Sequence, residues 1–215
     1  MSPLVLLHGW CGDHTSWPPL FRNRRVVAPD LTHDGGLYLP AEPSIVIGHS
    51  MGGTLARRVA RASPDKVLAL VFVDAHLPKF PPDPVRRQPF LQPFRENYQT
   101  AASQYIDSLG APHAVKQKML QTPAAAGLAA LESLNSPDTC AWTGEPSDTV
   151  SIPVLALWAN PSPMARVGPE HEQWMRQWCP NLRYETWPGA SHFLHLEHPA
   201  RFEALVDEFL AKHRL

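Results

Sequence analysis

The stretch Ser44-Ile45-Val46-Ile47-Gly48-His49-Ser50-Met51-Gly52-Gly53 decides the reading of this chain. A short apolar, β-branched run ends at Gly48, and a helix-compatible run, Thr54 to Ala62, begins just beyond Gly52. Between them Gly48-His49-Ser50-Met51-Gly52 forms G-x-S-x-G, the pattern of a sharp strand-to-helix turn with a serine at its apex. Such a turn strains the serine backbone, and the residues two before and two after it must lack a Cβ so that strand and helix can approach. The expected result is a serine hydroxyl at the mouth of a sheet. The helix N-terminus behind it offers free N–H groups to developing negative charge.

Outward from this turn, short apolar runs alternate with helical patterns. Leu4 to Leu7 is a continuous apolar run ending at His8-Gly9, as in a buried parallel strand. A short helix is expected within His14 to Phe21. Further strands are expected at Val26 to Ala28, Ile45 to Ile47, Val67 to Val73, Val154 to Trp158 and Arg183 to Trp187. In the helix after the turn, Leu55, Ala56, Val59 and Ala60 share one face, which puts Arg57, Arg58 and Arg61 outward. Phe202, Leu205, Val206, Phe209 and Leu210 mark the last helix, with Pro199 near its start. This alternation predicts an α/β parallel sheet with right-handed crossovers.

Composition narrows the function classes. At 215 residues the chain fits one domain with a full core. The net charge of −1 and the lack of long basic runs argue against nucleic acid and membrane surfaces as partners. No apolar run approaches transmembrane length. Met1-Ser2-Pro3 runs straight into a strand without a basic region, so no signal peptide is expected. Cys11, Cys140 and Cys179 share no motif and read as free thiols of a reducing, cytoplasmic compartment.

Gly48-His49-Ser50-Met51-Gly52-Gly53, with Leu6-Leu7-His8-Gly9-Trp10 upstream and Gly189-Ala190-Ser191-His192-Phe193 downstream, resembles the α/β-hydrolase superfamily. The His-Gly-Trp and Ser-Met-Gly-Gly pair is similar to its arylesterase and cofactor-free haloperoxidase branch. The resemblance implies a trimmed six-stranded sheet in the order 2-1-3-4-5-6, the two usual preceding strands being absent. It places a small helical cap at 79–150 over a core of 1–78 and 151–215. In the cap, Lys79 to Pro93 reads as irregular and proline-rich, with weak helical patterns at 94–109, 112–121 and 123–135. The usual helix between strands 2 and 3 has no counterpart. Leu31 to Pro43 shows no helical period, and its thirteen residues can span roughly 43 Å extended. A sheet thinly covered there would favour a homodimer.

The chemistry implied is acyl transfer to water, without cofactor or metal, on a small-molecule carboxylic ester. Ser50 is the nucleophile and His192 the base, last in the order Ser…Asp/Glu…His. Backbone N–H groups of Met51 and, by resemblance, Trp10 form the oxyanion hole. Trp10, Leu77, Phe80, Trp158 and Phe193 are candidates to line the substrate pocket. His8 reads as a structural hydrogen-bonding residue, and His49 as packing beneath the turn. His192-x-x-His195-x-x-His198 lacks the H-E-x-x-H or cysteine context of a metal site. The acid is the open position. Most relatives carry it after the penultimate strand, where this chain reads Ala159-Asn160-Pro161-Ser162, with no carboxylate before Glu170. Some, notably haloalkane dehalogenases, carry it after the strand that follows the turn helix, here Asp74. Asp74 is preferred, with Asp138, Asn160 or no acid as alternatives. The same fold also hosts cofactor-free dioxygenases, C–C hydrolases, hydroxynitrile lyases and inactive ligand-binding homologues.

Overall fold

The computed structural model describes residues 2–31, 41–77, 83–134 and 148–215. Six strands form one sheet: β1 Leu4–Leu7, β2 Val26–Val27, β3 Ser44–His49, β4 Val67–Val73, β5 Val154–Asn160 and β6 Leu182–Pro188. All neighbours are parallel, in the expected order β2-β1-β3-β4-β5-β6. The register sets Leu7 beside Gly48 and Gly48 beside Phe72. The carboxyl ends of β1, β3 and β4 therefore meet where the strand order reverses, the usual ligand position of an open α/β sheet.

The strands alternate between two apolar layers. Val5, Leu7, Val46, Leu70, Phe72, Ala156 and Trp158 face the helix that follows the turn, α1 (Met51–Ala62). Leu4, Leu6, Ile45, Ile47, Val71, Val73, Leu155 and Leu157 face the last helix. The sheet is thus buried on both faces, which accounts for the near-continuous apolar strands. Among the described residues the helices beyond α1 are α2 Pro84–Glu96, α3 Tyr98–Ser108, α4 His113–Met119, α5 Ala124–Leu134, α6 Pro169–Trp178, α7 Leu194–Glu197 and α8 Pro199–Lys212. Pro199 opens α8, whose Phe202, Val206, Phe209 and Leu210 are fully enclosed. The helix expected near His14 is a single 3-10 turn, His14–Ser16, capped by Asp13.

Two local expectations are corrected. Arg57 is 1% exposed rather than outward. The sheet covers one side of α1, and the segments carrying Asp148 and Cys179 come against another. Arg61 Nη1 lies 2.8 Å from Asp148 Oδ1, and the Arg57 charge acts on the buried Cys179 thiol. The stretch read as irregular contains α2. Asp83 caps it by accepting from the backbone N–H of Val85 at 2.9 Å. Pro89 and Pro93 lie four residues apart on its exposed face, where carbonyls deprived of a helical donor can turn to water. Leu91 and Phe94 hold the other face in the core.

The middle of Leu31 to Pro43, positions 32–40, lies outside the described residues, and the thin cover from which a homodimer was inferred rests on those positions. Among the described residues no helix is long and apolar enough to cross a membrane.

Candidate active site

Ser50 sits at the apex of the turn with φ 53° and ψ −118°. This sparsely populated region costs a non-glycine residue about 1–3 kcal/mol. Hydrogen bonds on both sides maintain it. Ser50 N–H donates to Val73 O at 3.1 Å, and Ser50 O accepts from Gly53 N and His76 N, each at 3.0 Å. The flanking glycines are sterically required. A Cβ on Gly48 would lie 2.3 Å from Gly52 O, and one on Gly52 would lie 2.1 Å from Leu7 O.

The loop after β1 abuts this apex, since a Cβ on Gly9 would come within 3.2 Å of Ser50 Cβ. Among the described residues neither Trp10 N–H nor Met51 N–H donates to another group. Met51 N–H is a first-turn helix donor, which has no partner within its own helix. His8 holds the loop. Its Nδ1 lies 2.8 Å from Gly9 O and its Nε2 lies 2.8 Å from Leu31 N. Only the tautomer with the proton on Nδ1 satisfies both bonds.

Asp74 follows β4 with φ 39° and is fully buried. Its N–H donates to Leu157 O at 2.8 Å, which ties the turn to β5. Its Oδ1 accepts from Ala159 N at 3.1 Å, and its Oδ2 lies 2.7 Å from His192 Nδ1. The other acid candidates stand differently. Asn160 is exposed, and its carbonyl accepts from Gly189 N at 2.9 Å. Ser162 Oγ accepts from Met164 N at 3.0 Å, within its own turn. Asp138 lies outside the described residues.

Beneath His192 lies a cluster built on His49, the residue expected to pack beneath the turn. His49 Nε2 donates to His192 O at 3.0 Å. Its ring packs 4.5 Å from both His192 and His195, and His195 packs 4.8 Å from Trp17. Burial, reinforced by the neighbouring imidazoles, holds His49 well below the ordinary histidine value. Burial and the His192 charge push His195 down to about 3. His198 is exposed and edges onto Trp187, so the three histidines of the H-x-x-H-x-x-H run do not converge. No metal-ligating cluster occurs among the described residues.

The depressed values make stability pH-dependent. In the folded chain His49 and His195 remain neutral, whereas in the unfolded chain both bind protons below about 6.5. Unfolding in acid therefore takes up protons, so the stability is full above that value and falls as pH drops below it. From these two groups Tm should fall by roughly 10 °C between pH 7 and pH 5. In His195→Phe the whole fall should be smaller by about one third, because His76, held down to about 4 by burial, contributes alongside His49. Thermal melts followed by circular dichroism check this. An equal fall in the variant contradicts it.

A small cavity of about 30 Å³ opens at Ser50. Trp10 and Phe193 line it, together with His49, His192, His195, Tyr105, Leu109 and Met119. Trp10 also fastens the outer helices to the sheet. Its Nε1 donates to Gly127 O of α5 at 2.8 Å, and Phe94, Tyr98 and Tyr105 meet its ring edge-on. Leu77 lines a separate hollow with Met164, Arg166, Glu170, His171 and Trp174. Trp158 lines neither. It is fully buried on the α1 side of β5, against His171 and Tyr184. Phe80 lies outside the described residues. Cys11 and Cys179 are free and buried. Burial raises the Cys11 thiol to about 11, against an opposing contact with Tyr98 at 3.3 Å. A thiol held that high is a poor nucleophile.

Comparison with known proteins agrees with this architecture. The chain is 24% identical to a pimeloyl-[acyl-carrier protein] methyl ester esterase of Aliivibrio salmonicida, over 97% of this chain and 92% of that protein. It is 26% identical to the sn-1-specific diacylglycerol lipase ABHD11 of Mus musculus, over 98% and 81%. A solved thermophilic esterase from Thermogutta terrifontis superposes with a TM-score of 0.72 at 22% identity, over 99% of this chain and 90% of that one. The model of the alpha/beta hydrolase family matches residues 37–205. With the sheet order and the serine turn already in place, the chain belongs to the alpha/beta hydrolase family.

Proposed function

We propose that the protein is a serine hydrolase that cleaves small carboxylic esters through an acyl-enzyme on Ser50. The observation that carries this reading is the buried 2.7 Å contact between Asp74 and His192, beside a serine held in a strained turn. Asp74 accepts a hydrogen bond from His192 Nδ1–H, leaving Nε2 free to take the proton of Ser50. The serine oxygen attacks the ester carbonyl, and the Trp10 and Met51 N–H groups receive the developing oxyanion. His192 then protonates the leaving alcohol. A water deprotonated by His192 releases the acid. The depressed values of His49 and His195 keep those rings neutral and out of the proton transfers. Helices α2 to α5 act as the cap over this site.

The ester activity of the related enzymes supports the reaction class. The cavity size supports a short acyl group. It measures about 30 Å³, where a single water needs about 10–15 Å³. A panel of p-nitrophenyl esters tests both points. Acetate should be hydrolysed with kcat/KM at least about tenfold above octanoate, because each extra methylene must displace packed cap residues. Absence of turnover across the panel contradicts the function, and a preference for octanoate contradicts the size argument.

A further inference from the structure

The loop that carries the Trp10 N–H bends through a costly backbone conformation. Gly12 N–H donates to Gly9 O at 3.1 Å, which closes a tight turn with Trp10 and Cys11 at its centre. Cys11 has φ 55°, at the turn position where a positive φ favours glycine. Strain of this kind persists only where the surroundings enforce it, and it gathers at sites that need pre-organisation. Here the outer helices supply the surroundings. Cys11 Sγ and Tyr98 OH of α3 share a hydrogen bond at 3.3 Å. Thr122 Oγ1, between α4 and α5, donates to Cys11 O at 3.4 Å. Asp13 pairs with Lys118 Nζ of α4 at 2.9 Å, and the Trp10 indole donates to Gly127 O of α5 at 2.8 Å.

Tyr98 is the centre of these contacts. It is buried, and its ring meets Trp10 edge-on. A Cβ on Gly127 would lie 1.7 Å from Tyr98 OH, so the glycine lets α5 bring its carbonyl to Trp10 with Tyr98 in place. Burial raises both the Cys11 thiol and the Tyr98 phenol, so both stay protonated and their bond lasts across the working pH range. We propose that Tyr98 is a positioning residue for the oxyanion hole: through Cys11 it holds the strained turn that aims the Trp10 N–H at the developing charge. This deepens the esterase reading and rests on it. An oxyanion donor is effective because it is aimed before the charge forms. Releasing the turn leaves the cavity walls that bind the ester and weakens the hold on the transition state. The effect therefore belongs in kcat rather than KM.

Tyr98→Phe keeps the ring and removes the hydroxyl. With p-nitrophenyl acetate, kcat per fluorophosphonate-titrated site should fall about tenfold while KM stays within about twofold. The Ki of trifluoroacetone should rise by the same factor as kcat falls. With this ketone Ser50 Oγ bonds the carbonyl carbon, the serine proton passes to His192, and the carbonyl oxygen becomes an oxyanion. A role in packing alone would lower the melting temperature and leave kcat and Ki per titrated site unchanged. Cys11→Ala removes the same bond from its other end and should cost about as much. The double variant should lose no more than either single one, as for two groups that share one interaction. Cys11→Ser, which keeps a hydrogen-bonding atom, should retain most of kcat. Should Tyr98→Phe fail to fold, Cys11→Ala against Cys11→Ser decides by the same two quantities. A kcat loss under about threefold, a larger loss without a matching rise in Ki, or losses that multiply in the double variant each overturn the proposal. Wild-type enzyme that turns over the ester and labels at Ser50 confines that failure to Tyr98. Wild type that does neither sinks the esterase reading beneath it.

Discussion

Ser50→Ala should leave the fold intact and lower p-nitrophenyl acetate turnover by roughly 10⁴-fold or more. The hydroxyl is the only group in the proposed mechanism that forms the covalent intermediate. The other nucleophile near the cavity, Cys11, is held as a neutral thiol by burial. The structural cost should be small, because alanine suits the position sterically and Ser50 makes its turn bonds through the backbone. Matching far-UV spectra and melting temperatures would establish that the loss is chemical. Turnover within about tenfold of wild type would remove Ser50 from the mechanism.

Asp74→Asn should lower kcat by roughly 100-fold or more with little change in KM. The geometry gives the reason. Ala159 N–H donates to Oδ1, so an asparagine there keeps its own carbonyl oxygen facing Ala159. Its NH₂ then points at His192 Nδ1, where the carboxylate oxygen Oδ2 stood. The imidazole must accept on that side, and its proton moves to Nε2, the side that should receive the serine proton. The charge that would stabilise the imidazolium is lost as well. Asn160→Ala and Ser162→Ala should each cost less than about tenfold, since neither is placed to orient His192. Steady-state kinetics on the three variants check this. A larger loss in Asn160→Ala than in Asp74→Asn would move the acid to the loop after β5.

Much of this was legible in the sequence because it follows from local sterics and pattern. Gly48 and Gly52 flank the serine because backbone oxygens stand where their Cβ atoms would be, a requirement visible as G-x-S-x-G. The sheet order came from the family topology, carried onto the apolar runs that the sequence shows. The position of Asp74 was legible because an apolar strand delivers its last residue to the carboxyl edge. Features set by packing between distant segments were not legible. Arg57 reads as exposed on a helix with one apolar face, yet a second segment covers it. The prolines of Lys79 to Pro93 made the start of α2 read as irregular, although Asp83 caps it. Helix α6 was passed over, although Pro169, Glu170 and Glu172 mark its first turn. Trp158 was a candidate for the pocket, while strand alternation turns it into the core. The roles of His49 and His195 depend on ring contacts between β3 and the chain after β6, segments about 140 residues apart.

The most direct measurement of the central claim is the site of covalent modification. The wild-type enzyme is incubated with a fluorophosphonate, digested, and the adduct is located by peptide mass spectrometry while activity is followed. The expected result is one adduct, on Ser50, whose stoichiometry tracks the loss of esterase activity and which does not form in Ser50→Ala. An adduct on another residue that tracks the loss, or full ester turnover with Ser50 unmodified, would contradict the account.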